Sequence, residues 1–138
     1  MQIRISKKGD IKTPTKAHKT DAGFDIYSPV DFTIAGKSSV FIDTKLCMQI
    51  PEGYVGFLKS KSGLNCKYSL VNEGVIDAGY TGTIGVKLYN NGNQAYHFAK
   101  GDKLTQIVIL PIPDVWLVEV DDLAETDRGT DGFGSSGR

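Results

Sequence analysis

Short runs in which apolar residues alternate with polar ones recur along the chain, and a period of two is the mark of half-buried strands. Ile3 and Ile5 carry the first run, and Phe24 and Ile26 the second, entered through the turn Asp21-Ala22-Gly23. Residues 31–34, 39–43, 46–50 and 54–58 follow, with Pro51-Glu52-Gly53 as the turn before the last of them. Val75 and Ile76, then Thr83, Ile84, Val86 and Leu88, then residues 94–98 and 104–110 continue the pattern. Residues 114–128 are free of Gly and Pro, yet their apolar positions fit period two, which predicts a further strand over 115–120. A single helical turn is predicted over 64–68. Strands this short, about ten residues apart with turn residues between them, predict a mostly β fold of the sandwich or barrel kind.

Residues 72–90 stand out within this pattern. Val75 and Ile76 read as one arm of a hairpin, Asp77-Ala78-Gly79 as its turn, and Thr83, Ile84, Val86 and Leu88 as the returning arm. Asp77 then sits at a fixed tip. Gly74, Gly79, Gly82 and Gly85 leave backbone N–H and C=O groups uncovered, so a flat ligand can be read by main chain, with the Tyr80 ring beside it. An ordinary hairpin with a charged turn accounts for the same residues. The segment Asp21-Ala22-Gly23-Phe24-Asp25 places two carboxylates around a glycine, which can hold a cation or only cap a turn.

The end of the chain changes character. Residues 127–138, DRGTDGFGSSGR, hold a single apolar side chain, Phe133, and cannot build core, so they are expected to be mobile on their own. Gly132-Phe133-Gly134-Ser135-Ser136-Gly137 matches G-x-G-x-x-G in form, but no strand closely precedes it and no helix can follow it, so it is no dinucleotide fingerprint. Glycine-rich backbone with hydroxyls and Arg128 can nevertheless wrap a polyphosphate, and Phe133 can cap an aromatic ring. A flexible linker fits the same composition.

Length and charge narrow the classes. The chain has 138 residues, enough for one domain, and its 16 basic and 16 acidic residues cancel, which argues against coating nucleic acid or an anionic membrane. No apolar run approaches the roughly 18 residues of a membrane span, and the first ten residues lack the apolar stretch of a signal peptide. A soluble cytoplasmic protein is expected. Cys47 and Cys66 lie far apart, with no C-x-x-C and with His18 and His97 isolated, so reduced thiols are expected and zinc is not.

Five segments, taken in order, resemble the five motifs of the trimeric deoxyuridine triphosphatases. They are Asp21-Ala22-Gly23-Phe24-Asp25-Ile26, Ser60-Lys61-Ser62-Gly63-Leu64, the run from Gly74 through Asp77 and Tyr80 to Gly82, Gly101-Asp102-Lys103-Leu104-Thr105-Gln106, and Arg128-Gly129-Thr130-Asp131-Gly132-Phe133-Gly134-Ser135. The resemblance spans residues 3–138 and implies a jelly-roll-like β subunit in a homotrimer whose three sites each draw on all three chains. It divides the chain into a β domain, 1–127, and an arm, 128–138, that closes over a neighbour's site.

By that resemblance the enzyme hydrolyses dUTP to dUMP and pyrophosphate with Mg2+, limiting uracil in DNA and supplying dUMP for dTMP synthesis. Asp77 matches the base that activates a water against the α-phosphorus, and Tyr80 matches the ring beneath the deoxyribose. Main chain at Gly74, Val75, Ile76 and Gly85 would read uracil. Lys61, Ser62, Gly63 and Gln106 match phosphate contacts, and Asp25 matches the acid that meets the hydrated magnesium through water, the ion being held mainly by the triphosphate. Arg128, Phe133, Gly134, Ser135 and Ser136 match the closing arm, with Phe133 capping uracil.

Three positions depart from the motifs. Lys61 replaces the usual Arg, keeping the charge without the planar fork. Asp131 replaces a glycine near the γ-phosphate, and Thr105 replaces a common Ala, a change expected to be harmless. Rival readings are a dCTP deaminase on the same fold and a nucleotide-sensing binding protein. Tyr80 and the residues from Arg128 onward favour the triphosphatase over the first, and Asp77 argues against the second.

Overall fold

The computed structural model describes residues 1–137, and its strands are β1 (Arg4–Lys7), β2 (Gly23–Tyr27), β3 (Phe32–Ile34), β4 (Ser38–Gln49) and β5 (Tyr54–Lys59), followed by helix α1 (Ser62–Tyr68). Then come β6 (Leu70–Val71), β7 (Glu73–Ile76), β8 (Thr83–Asn90), β9 (Tyr96–Phe98) and β10 (Lys103–Pro111). They form two four-stranded sheets, ordered β1-β4-β8-β6 and β2-β10-β5-β7, with β3 and β9 as a separate pair. Every pairing is antiparallel.

Alternation along the strands builds the core between the sheets. On β8, Ile84, Val86 and Leu88 are buried while Lys87 and Tyr89 face out. Ile42, Leu46 and Met48 from β4 join them, and Ile26, Leu58, Leu104, Ile107 and Ile76 come from the other sheet. Each such side chain removed from water contributes about 1.5–3 kcal/mol. Phe32 stacks on Phe98 at 4.8 Å between ring centroids and closes one end.

Three predicted elements differ. The strands predicted over 39–43 and 46–50 are one strand, β4, which ends at Gln49 and whose pairing with β8 shifts register between Asp43 and Cys47. The turn-like Asp43-Thr44-Lys45 is a bulge there: Lys45 takes φ 61°, its N–H donates to Asp43 Oδ1, and the buried Thr44 hydroxyl donates to Ile84 O. Residues 72–90 are no hairpin, because β7 pairs with β5 and β8 with β4, so the chain crosses from one sheet to the other at Asp77. Finally, among the described residues no strand follows Pro111, and the alternating residues 115–120 lie exposed, Trp116 at 80% and Leu117 at 98%. Their period is genuine, but a strand also needs an edge to pair with, and among the described residues no strand pairs with them.

Cys47 is buried in β4 and Cys66 exposed on α1, both as free thiols. Among the described residues no helix is long and apolar enough to cross a membrane.

Candidate active site

Asp77 occupies the corner where the chain leaves β7, and it is exposed. Ile76, buried at the end of β7, anchors one side of the corner, and Ile84 on β8 the other. The turn closes with Tyr80 N donating to Asp77 O at 3.3 Å and Gly79 N to Ile50 O at 3.4 Å. Gly79 holds φ 83°, which is open to glycine and strained for other residues. The carboxylate is thus set on a short, braced turn facing solvent.

Tyr80 lies back across this turn. Its hydroxyl donates to Thr83 O at 2.9 Å, and the ring occupies the space that a β-carbon on Gly82 would need. The ring stays 46% exposed, so it is a fixed aromatic plate beside Asp77. Strand β7 ends its sheet, so one edge of Gly74, Val75 and Ile76 carries backbone groups unpaired by a neighbouring strand. Gly85 differs: it pairs with Asp43 inside the β4–β8 ladder, and the exposed Phe41 ring lies over it. A cleft of about 570 Å³ opens on the flank of the turn and sets Arg4, read from sequence only as part of a strand, opposite Gly79 and Thr81.

The phosphate-type residues gather elsewhere. Lys61 precedes α1, and Ser62 and Gly63 are exposed in its first turn. Gln106 on β10 pairs with Asp25 of β2 on one side and Lys59 of β5 on the other, and its amide donates to Ser60 O at 3.2 Å. The Asp25 side chain is only 5% exposed and receives the Lys61 ammonium on one oxygen at 2.5 Å and the Lys103 ammonium on the other at 2.7 Å. Burial pushes this carboxyl up, but hydrogen bonds from Lys103 and Lys61 outweigh it and hold the group below the usual carboxylate range. The same bond raises Lys103 above the ordinary lysine value.

Sequence reasoning missed Lys103 and also a buried network behind it. Thr105 is fully buried, accepts from Asn72 Nδ2 at 2.7 Å and donates to Lys59 O at 3.0 Å. Ser60 Oγ donates to Asn72 O and accepts from Asn72 N. Thr105 is therefore a bonded part of the scaffold that joins β10, β5 and the start of β7. No sequence spacing links residues 72 and 105, so only the fold could reveal the pair.

Magnesium fits this chain in one way only. Among the described residues no three His, Cys, Asp or Glu side chains converge on a point, and both Asp25 oxygens hold lysines. Protein donors do not make a cage, so an ion would have to arrive with its own phosphate ligands and water.

Residues matched to one site do not meet within one chain. On antiparallel β7 and β5, Glu73 lies opposite Lys59, two residues before Lys61, whereas Ile76, which adjoins Asp77, lies opposite Gly56. Asp77 and the Lys61-Ser62 turn thus flank opposite ends of β7, on the order of 10 Å or more apart at about 3.3 Å per residue. Ile112 N donates to Gly53 O at 2.9 Å; beyond it Phe133 is fully exposed, and residues 126–137 carry local turns such as Asp131 N to Arg128 O. Arg138, the last residue of the expected arm, lies outside the described residues.

A family model described as dUTPase matches residues 9–137. The chain belongs to the dUTPase family. Among its dUTPase relatives, the deoxyuridine 5'-triphosphate nucleotidohydrolase of Yaba monkey tumor virus is 39% identical over 137 residues, 98% of this chain and 96% of that protein. The structure of Staphylococcus bacteriophage 80alpha dUTPase with dUPNHPP superposes with a TM-score of 0.93, at 32% identity, over 99% of both chains. A mutant dUTPase from phage phi11 of S. aureus, studied for its coordination of a structural Mg(II) ion, superposes at 0.84 with 31% identity over 91% of this chain and 100% of that one.

Proposed function

We propose that this dUTPase-family chain hydrolyses dUTP to dUMP and pyrophosphate, in sites that three copies of the chain complete together. The observation that carries the shared site is the separation of Asp77 from the Lys61-Ser62 turn at opposite ends of β7. One chain offers the base and the nucleoside platform at one end and the phosphate donors at the other. Neighbouring copies in a homotrimer bring one chain's Asp77 to another's Ser62, Gly63 and Gln106. The exposed apolar residues 115–120 supply area for such contacts.

In this reading the open edge of β7 reads uracil at Gly74, Val75 and Ile76. A backbone C=O facing uracil N3–H and an N–H facing O4 reject cytosine, whose donors and acceptors are reversed there. Tyr80 lies under the deoxyribose and leaves no room for a 2′-hydroxyl. Asp77 takes a proton from a water aligned with the α-phosphorus; the water oxygen bonds to that phosphorus as the bond to the pyrophosphate oxygen breaks. Ser62 and Gln106 bind the phosphates; magnesium would supply charge neutralisation there, and Asp25, its oxygens held by Lys61 and Lys103, would reach the hydrated ion only through water. Residues 1–127 act as the β domain and 128–138 as the arm, which brings Phe133 onto uracil and Arg128, Gly134, Ser135 and Ser136 onto the γ-phosphate. The protein works in the cytoplasm, where free Cys47 and Cys66 stay reduced.

Asp77→Asn tests the chemistry. The amide still accepts a hydrogen bond but takes no proton, so turnover falls by about 10² to 10⁴ while dUTP binding stays within about tenfold. Pyrophosphate and ammonia are followed together with each deoxynucleoside triphosphate, because ammonia from dCTP would instead mark a deaminase. Near-normal turnover by the variant would remove Asp77 from the mechanism.

A further inference from the structure

We infer that Asp25 acts as a clasp, a positioning residue that fixes Lys61 and Lys103 as one oriented pair of cations at the phosphate end of the site. This rests on the dUTP-hydrolysing reading above and assigns Lys103 a part in it. The carboxylate is 5% exposed and its two oxygens are taken one each, by Lys61 at 2.5 Å and Lys103 at 2.7 Å. The two lysines come from separate elements, one just before α1 and the other at the start of β10, and among the described residues Asp25 alone links their ammonium groups. Both line a single cleft of about 410 Å³ together with Gly63. The β-bridge between Thr15 and Asp25 and the pairing of Asp25 with Gln106 fix the backbone that carries the carboxylate.

Lysine at position 61 explains why a clasp is needed. A guanidinium is planar and pre-organised for two parallel bonds to phosphate, whereas an ammonium sits on a flexible four-carbon stem and has no fixed direction. Bonding Lys61 to a buried carboxylate supplies that direction, and Lys103 restores the positive charge that Asp25 cancels. The three groups together carry one net positive charge at a fixed place. That favours an aligned triphosphate over a loosely attracted one, so the clasp works on the rate of the aligned complex more than on attraction.

The test separates this role from a metal contact. Asp25→Asn lowers kcat for dUTP at least tenfold, keeps KM within about threefold because both lysines still attract the triphosphate, and the loss persists at saturating Mg2+, which would make good a contact to the hydrated ion alone. In the free protein, ion-paired lysines give slowly exchanging ammonium resonances in ¹⁵N-lysine NMR spectra; those of Lys61 and Lys103 are present in wild type and lost in Asp25→Asn. Lys103→Gln, on a half-exposed side chain, lowers kcat about threefold, and the double variant is no worse than Asp25→Asn alone. A raised Mg2+ requirement with full kcat at saturating Mg2+, additive losses, or ammonium resonances that persist without Asp25 would each overturn the clasp. If Asp25→Asn fails to fold, Lys103→Gln decides: an unchanged kcat overturns the proposal. The resonances are read without substrate, so they judge the clasp even if the wild-type protein turned over no dUTP, a result that would sink the functional reading instead.

Discussion

Thr105 shows how much one hydroxyl can organise. Fully buried, it accepts from Asn72 and donates to the carbonyl of Lys59, two residues before Lys61. Thr105→Ala removes the acceptor and strands the buried Asn72 amide, which costs about 1–3 kcal/mol. The expected outcome is a lower melting temperature and denaturation midpoint, with a raised KM for dUTP because Ser60 and Gln106 lose their common support. Unchanged stability would show that the amide finds another partner. From sequence, Thr105 is only a departure from a motif's usual residue, since its partner lies 33 positions away. Asp77 and Tyr80, by contrast, are singled out by their own neighbours in the chain.

At the scale of elements, the segment between β7 and β8 joins two sheets, and its rigidity comes from packing and not from a hairpin ladder. Gly82 is the point where this is most easily tested. A β-carbon there would overlap the far end of the Tyr80 ring, which can give way by releasing its hydrogen bond to Thr83 O, since nearly half of the side chain faces solvent. Gly82→Ala should therefore leave the melting temperature nearly unchanged, since surface substitutions usually stay within about 0.5 kcal/mol. The same variant should narrow the ratio of kcat/KM for dUTP over UTP, because the displaced ring no longer closes the space at the 2′ position. An unchanged ratio would mean that another group polices the sugar. Both mispredicted elements near here share one cause. Hydrophobic period identifies strands, yet it does not say which strand pairs with which, and β4 with its bulge reads as two strands for the same reason.

At the scale of the whole molecule, regular structure ends at Pro111, and two further segments leave the body of the fold. Residues 112–123 are rich in exposed apolar side chains and suit contacts between copies; residues 128–137 are polar and glycine-rich and suit a ligand. A chain ending at Asp127 should accordingly still form the homotrimer and melt at the same temperature without ligand, yet hydrolyse dUTP at least tenfold slower. Ordering about ten residues costs on the order of 1 kcal/mol each for backbone, and only contacts to the bound triphosphate offset that. Sedimentation, a thermal melt and a pyrophosphate assay on the same sample check all three points. Dissociation would make the segment a structural strap, and full activity would remove Phe133 and its neighbours from the site.

What the sequence determined by itself was local. Alternation over a few residues set the β class, turn residues set most strand ends, and the helical turn appeared two residues short of its true start at Ser62. The five motifs, each contiguous, identified the family because their chemistry is carried by adjacent residues. The tertiary structure alone decided which edges pair, that Asp77 stands at a crossing between sheets, and that residues 115–120 have no strand partner among the described residues of their own chain. It alone brought Asp25, Lys61 and Lys103 together from three places in the sequence. Periodicity reports which face of an element is apolar, and that is local, whereas pairing and charge contacts depend on which distant elements the core packs side by side.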